Sequence, residues 1–186
     1  MGQYYRPILT NENGYERVYN RDVDGEYTMA KLMEHSWWYN EFVSTICHKI
    51  YKTPKKVIWV GDYADDADVT NEIEETELKR LCKKAWNCKG YGVKKNDLYL
   101  DNLFLVNHTK KIYLDCNAYK ANSTNSDNWC VHPLPLLTAI GNGLGGGDYR
   151  DINIEDVGCW ANDLISIEDV APKRYTEETY MFKEEW

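Results

Sequence analysis

The chain has 186 residues, 43% of them hydrophobic and 28% charged, with a formal net charge of −8; this is one globular domain's worth of chain, long enough to bury a substantial core. The negative charge argues against an electrostatic grip on DNA or RNA, which needs a basic surface, and suits a basic protein partner. No run of about twenty apolar residues is present to span a membrane, no signal-peptide pattern opens the sequence, and none of the six cysteines sits in a C-x-x-C pair, so the reading is a cytoplasmic protein with reduced thiols and without the usual zinc spacing.

In chain order, Gln3 to Leu9 reads as a strand, and Pro7 within it favours an edge position. Asn13-Gly14 is a turn signal, after which Tyr15 to Tyr19 returns as the second arm of a hairpin; Arg21 to Glu26 reads as a polar loop. From Met29 to Tyr51 apolar residues (Leu32, Met33, Trp37, Phe42, Val43, Ile46, Ile50) recur at helical spacing and predict one long helix, stopped by Pro54. Val57 to Val60 is a short, continuous apolar run, the pattern of a buried strand. A second helix is predicted over about 74–86, with Leu78, Leu81, Cys82 and Ala85 on one face. Asn87 to Asn96 reads as a loop, Leu98 to Val106 as a strand, Asn107 to Lys110 as a turn and Lys111 to Cys116 as the returning strand. Tyr119 to Asn128 is rich in Asn, Ser and Thr and reads as a surface loop. Pro133 to Ile140 predicts one or two helical turns, and Cys159 to Ile167 alternates like a strand with one apolar face. Strand and helix signals mixed with hairpins predict an α+β fold, a mixed or antiparallel sheet covered by the helices at about 29–51 and 74–86. Residues 1–170 form the single domain of this reading, and 171–186 a charged tail ending in an aromatic residue.

Three segments carry chemistry-bearing residues. GNGLGGGDYR, Gly141 to Arg150, concentrates glycine where either unusual turns or a close approach to the backbone is needed. It lacks the Gly-Lys-Ser/Thr of a phosphate loop, and the order of its flanking elements is the reverse of the dinucleotide-binding pattern. As an anion nest it would use Asn142, Gly143, Gly145, Gly146, Gly147, Asp148 and Arg150. GDYADDAD, Gly61 to Asp68, places Asp62 directly after the buried strand, with Asp65, Asp66 and Asp68 beside it; these carboxylates either bond local backbone and solvent or coordinate Mg²⁺ or Ca²⁺. VGCWANDLISI, Val157 to Ile167, sets Asp163 within the last predicted strand, so that Asp62, Asp148 and Asp163 form a candidate metal set. His35 and His48 are too far apart for a helical metal pair, His132 beside Pro133 reads as a loop residue, and no Cys–His pair or Gly-x-Ser-x-Gly elbow is indicated.

The combination of MGQYY, KLMEHS, VGDYADD, NHTKK-x-YLD, GNGLGGGDYR and VGCWANDLISI resembles an uncharacterised family of small proteins from Gram-positive bacteria, their phages and mobile elements. The resemblance touches most of Met1 to Ile167. It implies a phage or mobile-element setting and supplies no catalytic residue. In shorter relatives the W-A-x-D strand runs directly into GDYAD, which implies that the strands at Val57–Val60 and Cys159–Ile167 are sheet neighbours here and that Asp62 lies towards Asp163. The setting implies a counter-defence protein acting by stoichiometric binding, most concretely an anti-CRISPR inhibitor of a type II effector nuclease, with Tyr63, Asp65, Asp66 and Asp68 as partner contacts and no cofactor. The alternative is a small-ligand protein, a nucleotide-binding sponge or a metal-assisted phosphoester hydrolase, using the glycine loop, the acidic set and Mg²⁺.

Overall fold

The computed structural model describes residues 3–23, 26–64, 75–93, 99–141 and 152–182. Their elements are β1 (Tyr5–Thr10), β2 (Glu16–Val23), β3 (Glu26–Thr28), α1 (Glu41–Ile50), β4 (Lys55–Gly61), α2 (Glu75–Asn87), β5 (Tyr91–Val93), β6 (Phe104–Asn107), β7 (Ile112–Asp115), α3 (Cys116–Ser123), α4 (Pro133–Leu137), β8 (Ala139–Ile140), β9 (Leu164–Glu168) and β10 (Thr176–Glu177). The class is α+β. One mixed sheet runs β10-β7-β6-β9-β4-β1-β2-β3, with β5 added beside β2 and β8 beside β4. The β10–β7, β2–β5 and β4–β8 pairs are parallel and the others antiparallel.

The apolar run of β4 follows from its place in the middle of this sheet. Val57 and Trp59 face one core, shared with Phe42, Val43 and Ile46 of α1 and Leu134, Leu136 and Leu137 of α4. Ile58 and Val60 face the other, where Leu81, Cys82 and Ala85 of α2 pack. A strand covered on both faces has no polar side to show, which is why it reads as continuous rather than alternating.

The long predicted helix is shorter. Only Glu41–Ile50 is helical, because the Asn40 side chain accepts the Phe42 and Val43 amides (3.0 and 3.1 Å) and starts the helix there. Residues 29–40 make turns instead. The Lys31 amide donates to His35 Nδ1, and Trp37 bridges to Val131. Leu32 and Met33 are nonetheless fully buried, so the helical spacing reported burial and not helix. The predicted second helix is present as α2.

Other expectations shift for local reasons. β1 is an interior strand between β2 and β4, and Pro7 is tolerated because the β1–β2 pairing covers only Ile8 to Thr10. The Arg21–Glu26 segment prolongs β2 and begins β3, and the loop at 87–96 contains β5. Leu98, where the next strand is expected to begin, lies outside the described residues; residues 99–103 are not strand, and β6 starts at Phe104. Tyr119–Asn128 is helical as far as Ser123, since Asp115 caps α3 by accepting the Asn117 and Ala118 amides (2.8 and 3.1 Å). Its polar residues hide one anchor: Tyr119 is buried, stacks on Trp38 and donates its hydroxyl to the Val131 carbonyl (2.8 Å). The strand expected over Cys159–Ile167 is a turn up to Asp163 and a strand from Leu164. Asn162 is left-handed (φ 64°) and its amide reaches the Val57 carbonyl.

The segment from residue 171 is packed onto the domain as far as it is described. β10 pairs with β7, Tyr180 accepts the Trp160 indole N–H (2.9 Å), and Phe182 is fully buried against Tyr119 and Tyr180.

Candidate functional site

Register brings two of the sequence motifs together. β4 and β8 are parallel, with Trp59 opposite Ala139 and Val60 opposite Ile140. Gly61 and Gly141 therefore leave the sheet side by side, and the segments 61–68 and 141–150 begin there. On the other side of β4, Tyr5 faces Gly61. Carboxyl ends of parallel strands are where open α/β sheets commonly hold ligands.

Both glycines are needed for close approach. Gln3 is fully buried, its Oε1 accepts the Tyr5 hydroxyl (2.6 Å), and its Nε2 has no hydrogen-bond partner among the described residues. A Cβ on Gly61 would lie 2.9 Å from Gln3 Nε2, and one on Gly141 2.5 Å from Tyr5 Oη and 2.7 Å from Gln3 Oε1. The first glycine of the glycine-rich segment thus makes room for the chain's own N-terminal strand. Trp86 of α2 closes the other face by donating its indole N–H to the Gly61 carbonyl (3.1 Å).

Asp62 serves this junction as a backbone acceptor. Its carboxylate takes the Tyr4 amide (3.1 Å), while the Asp62 amide returns to the Tyr4 carbonyl. Desolvation nevertheless raises its pKa above the ordinary carboxylate value. Tyr63 is half-buried. Asp65, Asp66, Asp68, Asn142, Gly143, Gly145, Gly146, Gly147, Asp148 and Arg150 lie outside the described residues.

β4 and β9 are neighbours, as the motif comparison implied, but they pair at the opposite end of β4, through Lys55–Ile165 and Lys56–Leu164. Asp163 accepts the Val57 amide through its carbonyl, and its carboxylate accepts Asn107 Nδ2 at 2.7 Å with Lys110 Nζ 3.9 Å away. Asp62 stands five residues further along β4, on the order of 16 Å from that point. The expected convergence of Asp62 with Asp163 does not occur, and the two cannot share one metal ion.

No family model, curated protein or solved structure matches the chain.

Two polar pairings were not visible in the sequence. His132 lies just outside α4 as its cap, fully buried, with Nδ1 accepting the Leu134 amide (3.2 Å) and Nε2 3.4 Å from Cys47 Sγ. Burial lowers its pKa to about 3 and pushes the Cys47 thiol well up. Because Nδ1 accepts, Nε2 carries the proton and faces the sulfur as a donor, the wrong polarity for a base that would generate a thiolate. Likewise Ser166 lies 2.7 Å from His108 Nε2 but donates its proton to Glu168 (2.6 Å), while His108 Nδ1 meets the Tyr175 hydroxyl at 3.2 Å. The imidazole then donates to the serine oxygen and cannot deprotonate it. Both are structural networks that resemble catalytic ones by distance alone. Arg17, Lys49 and Lys55 were also passed over; they come from β2, α1 and β4, and only helix packing and sheet register bring them together.

Proposed function

We propose that this protein acts by stoichiometric binding in phage or mobile-element counter-defence, most concretely as an inhibitor of a type II CRISPR effector nuclease. The observation that carries the reading is its net charge of −8, which steers it towards the basic groove of a nucleic-acid-handling protein. The described residues add support in two ways. Tyr15, Tyr39 and Tyr91 hold large aromatic surface at the exterior, the kind of side chain that anchors interfaces. Asp62, Cys47, His132, His108 and Ser166 are occupied by internal hydrogen bonds, which suits binding better than turnover. In this reading Tyr63 and the acidic residues Asp65, Asp66 and Asp68 are contacts.

The experiment is a pull-down with a type II effector nuclease followed by a cleavage assay at rising inhibitor-to-enzyme ratio. Inhibition that saturates near equimolar ratio supports the reading, and neither binding nor inhibition at micromolar protein removes it.

A second reading, a nucleotide-binding sponge, is favoured by the adjacency of Gly61 and Gly141, since it starts the acidic and glycine-rich segments at one place on the sheet edge. A sponge raises its melting temperature with the nucleotide and releases it intact. The separation of Asp62 from Asp163 counts against the hydrolase form, in which those residues would share Mg²⁺.

A further inference from the structure

At the other end of β4, where α1 finishes and the β1–β2 hairpin turns, a cleft of about 210 Å³ opens between Leu9, Asn11, Tyr15, Arg17, Tyr19, Lys49 and Lys55. Leu9 and the rings of Tyr15 and Tyr19 are the apolar parts of its lining. Its wall holds three cations from three separate elements: Arg17 on β2, Lys49 in the last turn of α1 and Lys55 at the start of β4. None of the three is paired with a carboxylate among the described residues. Arg17 is held in place by aromatic rings instead, its Cζ 5.5 Å from the Tyr15 centroid and 5.0 Å from that of Tyr91. On a chain of net charge −8, such a grouping runs against the overall field.

The cost of the grouping is visible at Lys55. Its pKa is lowered, first by burial and then by the charges of Lys49 and Arg17. Like charges gathered without a counter-charge repel one another, and a bound dianion reverses the sign of every one of those interactions. The guanidinium offers a planar fork for two anion oxygens, and the ammonium groups add rotatable donors. The cleft is smaller than the roughly 300–1,000 Å³ of a site that encloses a drug-sized ligand. It has room for an anionic head group, with the rest of the ligand lying outward along the exposed rings of Tyr15 and Tyr91.

We propose that Arg17, Lys49 and Lys55 form a binding site for the phosphate group of a small molecule. The site is separate from the Gly61–Gly141 edge, and its test with small phosphates reads out independently of the counter-defence reading.

Isothermal titration of the full chain with inorganic phosphate and with adenosine monophosphate, at ionic strength matched with sodium chloride, tests it. The wild type binds at least one probe with submillimolar affinity, and Lys55→Gln and Lys49→Gln each weaken binding by about tenfold or more. The unliganded melting temperature of both variants stays level or rises, because a repulsive charge has been removed; this separates loss of binding from loss of fold. Equal affinity for the two probes assigns the site to free phosphate. Tighter binding of the nucleotide, reduced by Tyr91→Ala, assigns it to a nucleoside phosphate. No binding of either probe overturns the proposal, as does unchanged affinity in both lysine variants. Binding of a single-stranded oligonucleotide by a protein that ignores both small phosphates overturns it too.

Discussion

His132 faces Cys47 as a hydrogen-bond donor, with Nε2 3.4 Å from the sulfur and both side chains fully buried. The orientation is fixed from behind, where Nδ1 accepts the first free amide of α4. One imidazole therefore caps a helix and ties it to α1, and it does so only while neutral.

That neutrality gives a pH dependence. In the unfolded chain a histidine titrates near 6.5, and in the fold His132 titrates at about 3. Between those values the unfolded chain binds a proton that the native state refuses, so stability is drained as pH falls from about 6.5 towards 3, by up to ~1.4 kcal/mol per pH unit. Above that window the residue contributes no slope. Urea denaturation across pH checks this. His132→Asn keeps an acceptor for the Leu134 amide but does not titrate; it should be less stable at neutral pH and show a shallower loss on acidification. An acid slope identical to that of the wild type would refute the assignment.

Phe182 should behave as a core residue despite its place near the chain's end. It is fully buried between Tyr119 and Tyr180, and the Trp160–Tyr180 hydrogen bond holds the same segment down. Phe182→Ala is expected to cost about 3–5 kcal/mol, the usual range for a buried phenylalanine. A loss below about 1 kcal/mol in equilibrium denaturation would mean the segment is not part of the cooperative unit.

Gly90 guards a buried arginine. The Arg6 guanidinium has no carboxylate partner among the described residues; it donates to the Ala85 and Cys88 carbonyls at the end of α2 and to Asn20 Oδ1 (2.6 Å), and stacks over Trp86. The partial negative charge of a helix C-terminus is the counter-charge here. Gly90 has φ +57°, and a Cβ there would strike Arg6 Nη2 and lie 2.7 Å from Asn20 Nδ2. Gly90→Ala should lower stability by more than about 1 kcal/mol, through strain and through displacement of the guanidinium together. Thermal melting within a few degrees of wild type would show that Arg6 can move aside without loss.

Asp62 separates a structural from a chemical role by one pair of variants. Asp62→Asn retains an oxygen for the Tyr4 amide and should melt close to wild type, whereas Asp62→Ala leaves that amide without its acceptor and should cost about 1 kcal/mol. A chemical role predicts that Asp62→Asn folds normally yet abolishes a Mg²⁺-dependent effect on stability or on bound nucleotide.

The sequence was informative where one local rule decides the outcome. The Asn13-Gly14 turn, the doubly covered β4 and the helix at 75–87 follow from turn chemistry, apolar continuity and period. It misled where burial occurs without regular structure. Leu32 and Met33 are buried in turns and imitate a helix, and the alternation after Cys159 belongs to a turn that delivers Trp160 to the core. At the candidate site, the adjacency of Gly61 and Gly141 depends on a two-residue parallel strand, β8, too short to leave a pattern. Arg17, Lys49 and Lys55 meet through packing and register, which no spacing along the chain records. The separation of Asp62 from Asp163 turns on which end of β4 takes β9, and a sequence names neighbours more readily than it names ends.

β9 has a consequence for how the molecule is assembled. It lies between β6 and β4, pairing Leu105 with Ile167 on one side and Lys55 with Ile165 on the other. Until residues 164–168 have been synthesised, β4 with β1 and β2 forms one partial sheet and the β6–β7 hairpin forms another, each with an open edge rich in valine, leucine and isoleucine. Such edges are templates for pairing with other chains, and joining them requires contacts more than a hundred residues apart in sequence, which slows folding. The nascent protein therefore passes through a stage at which both partial sheets have been synthesised and it is still sticky. A chain stopped just before Leu164 should collect in the insoluble fraction, and one carried through the β9 segment should recover solubility abruptly.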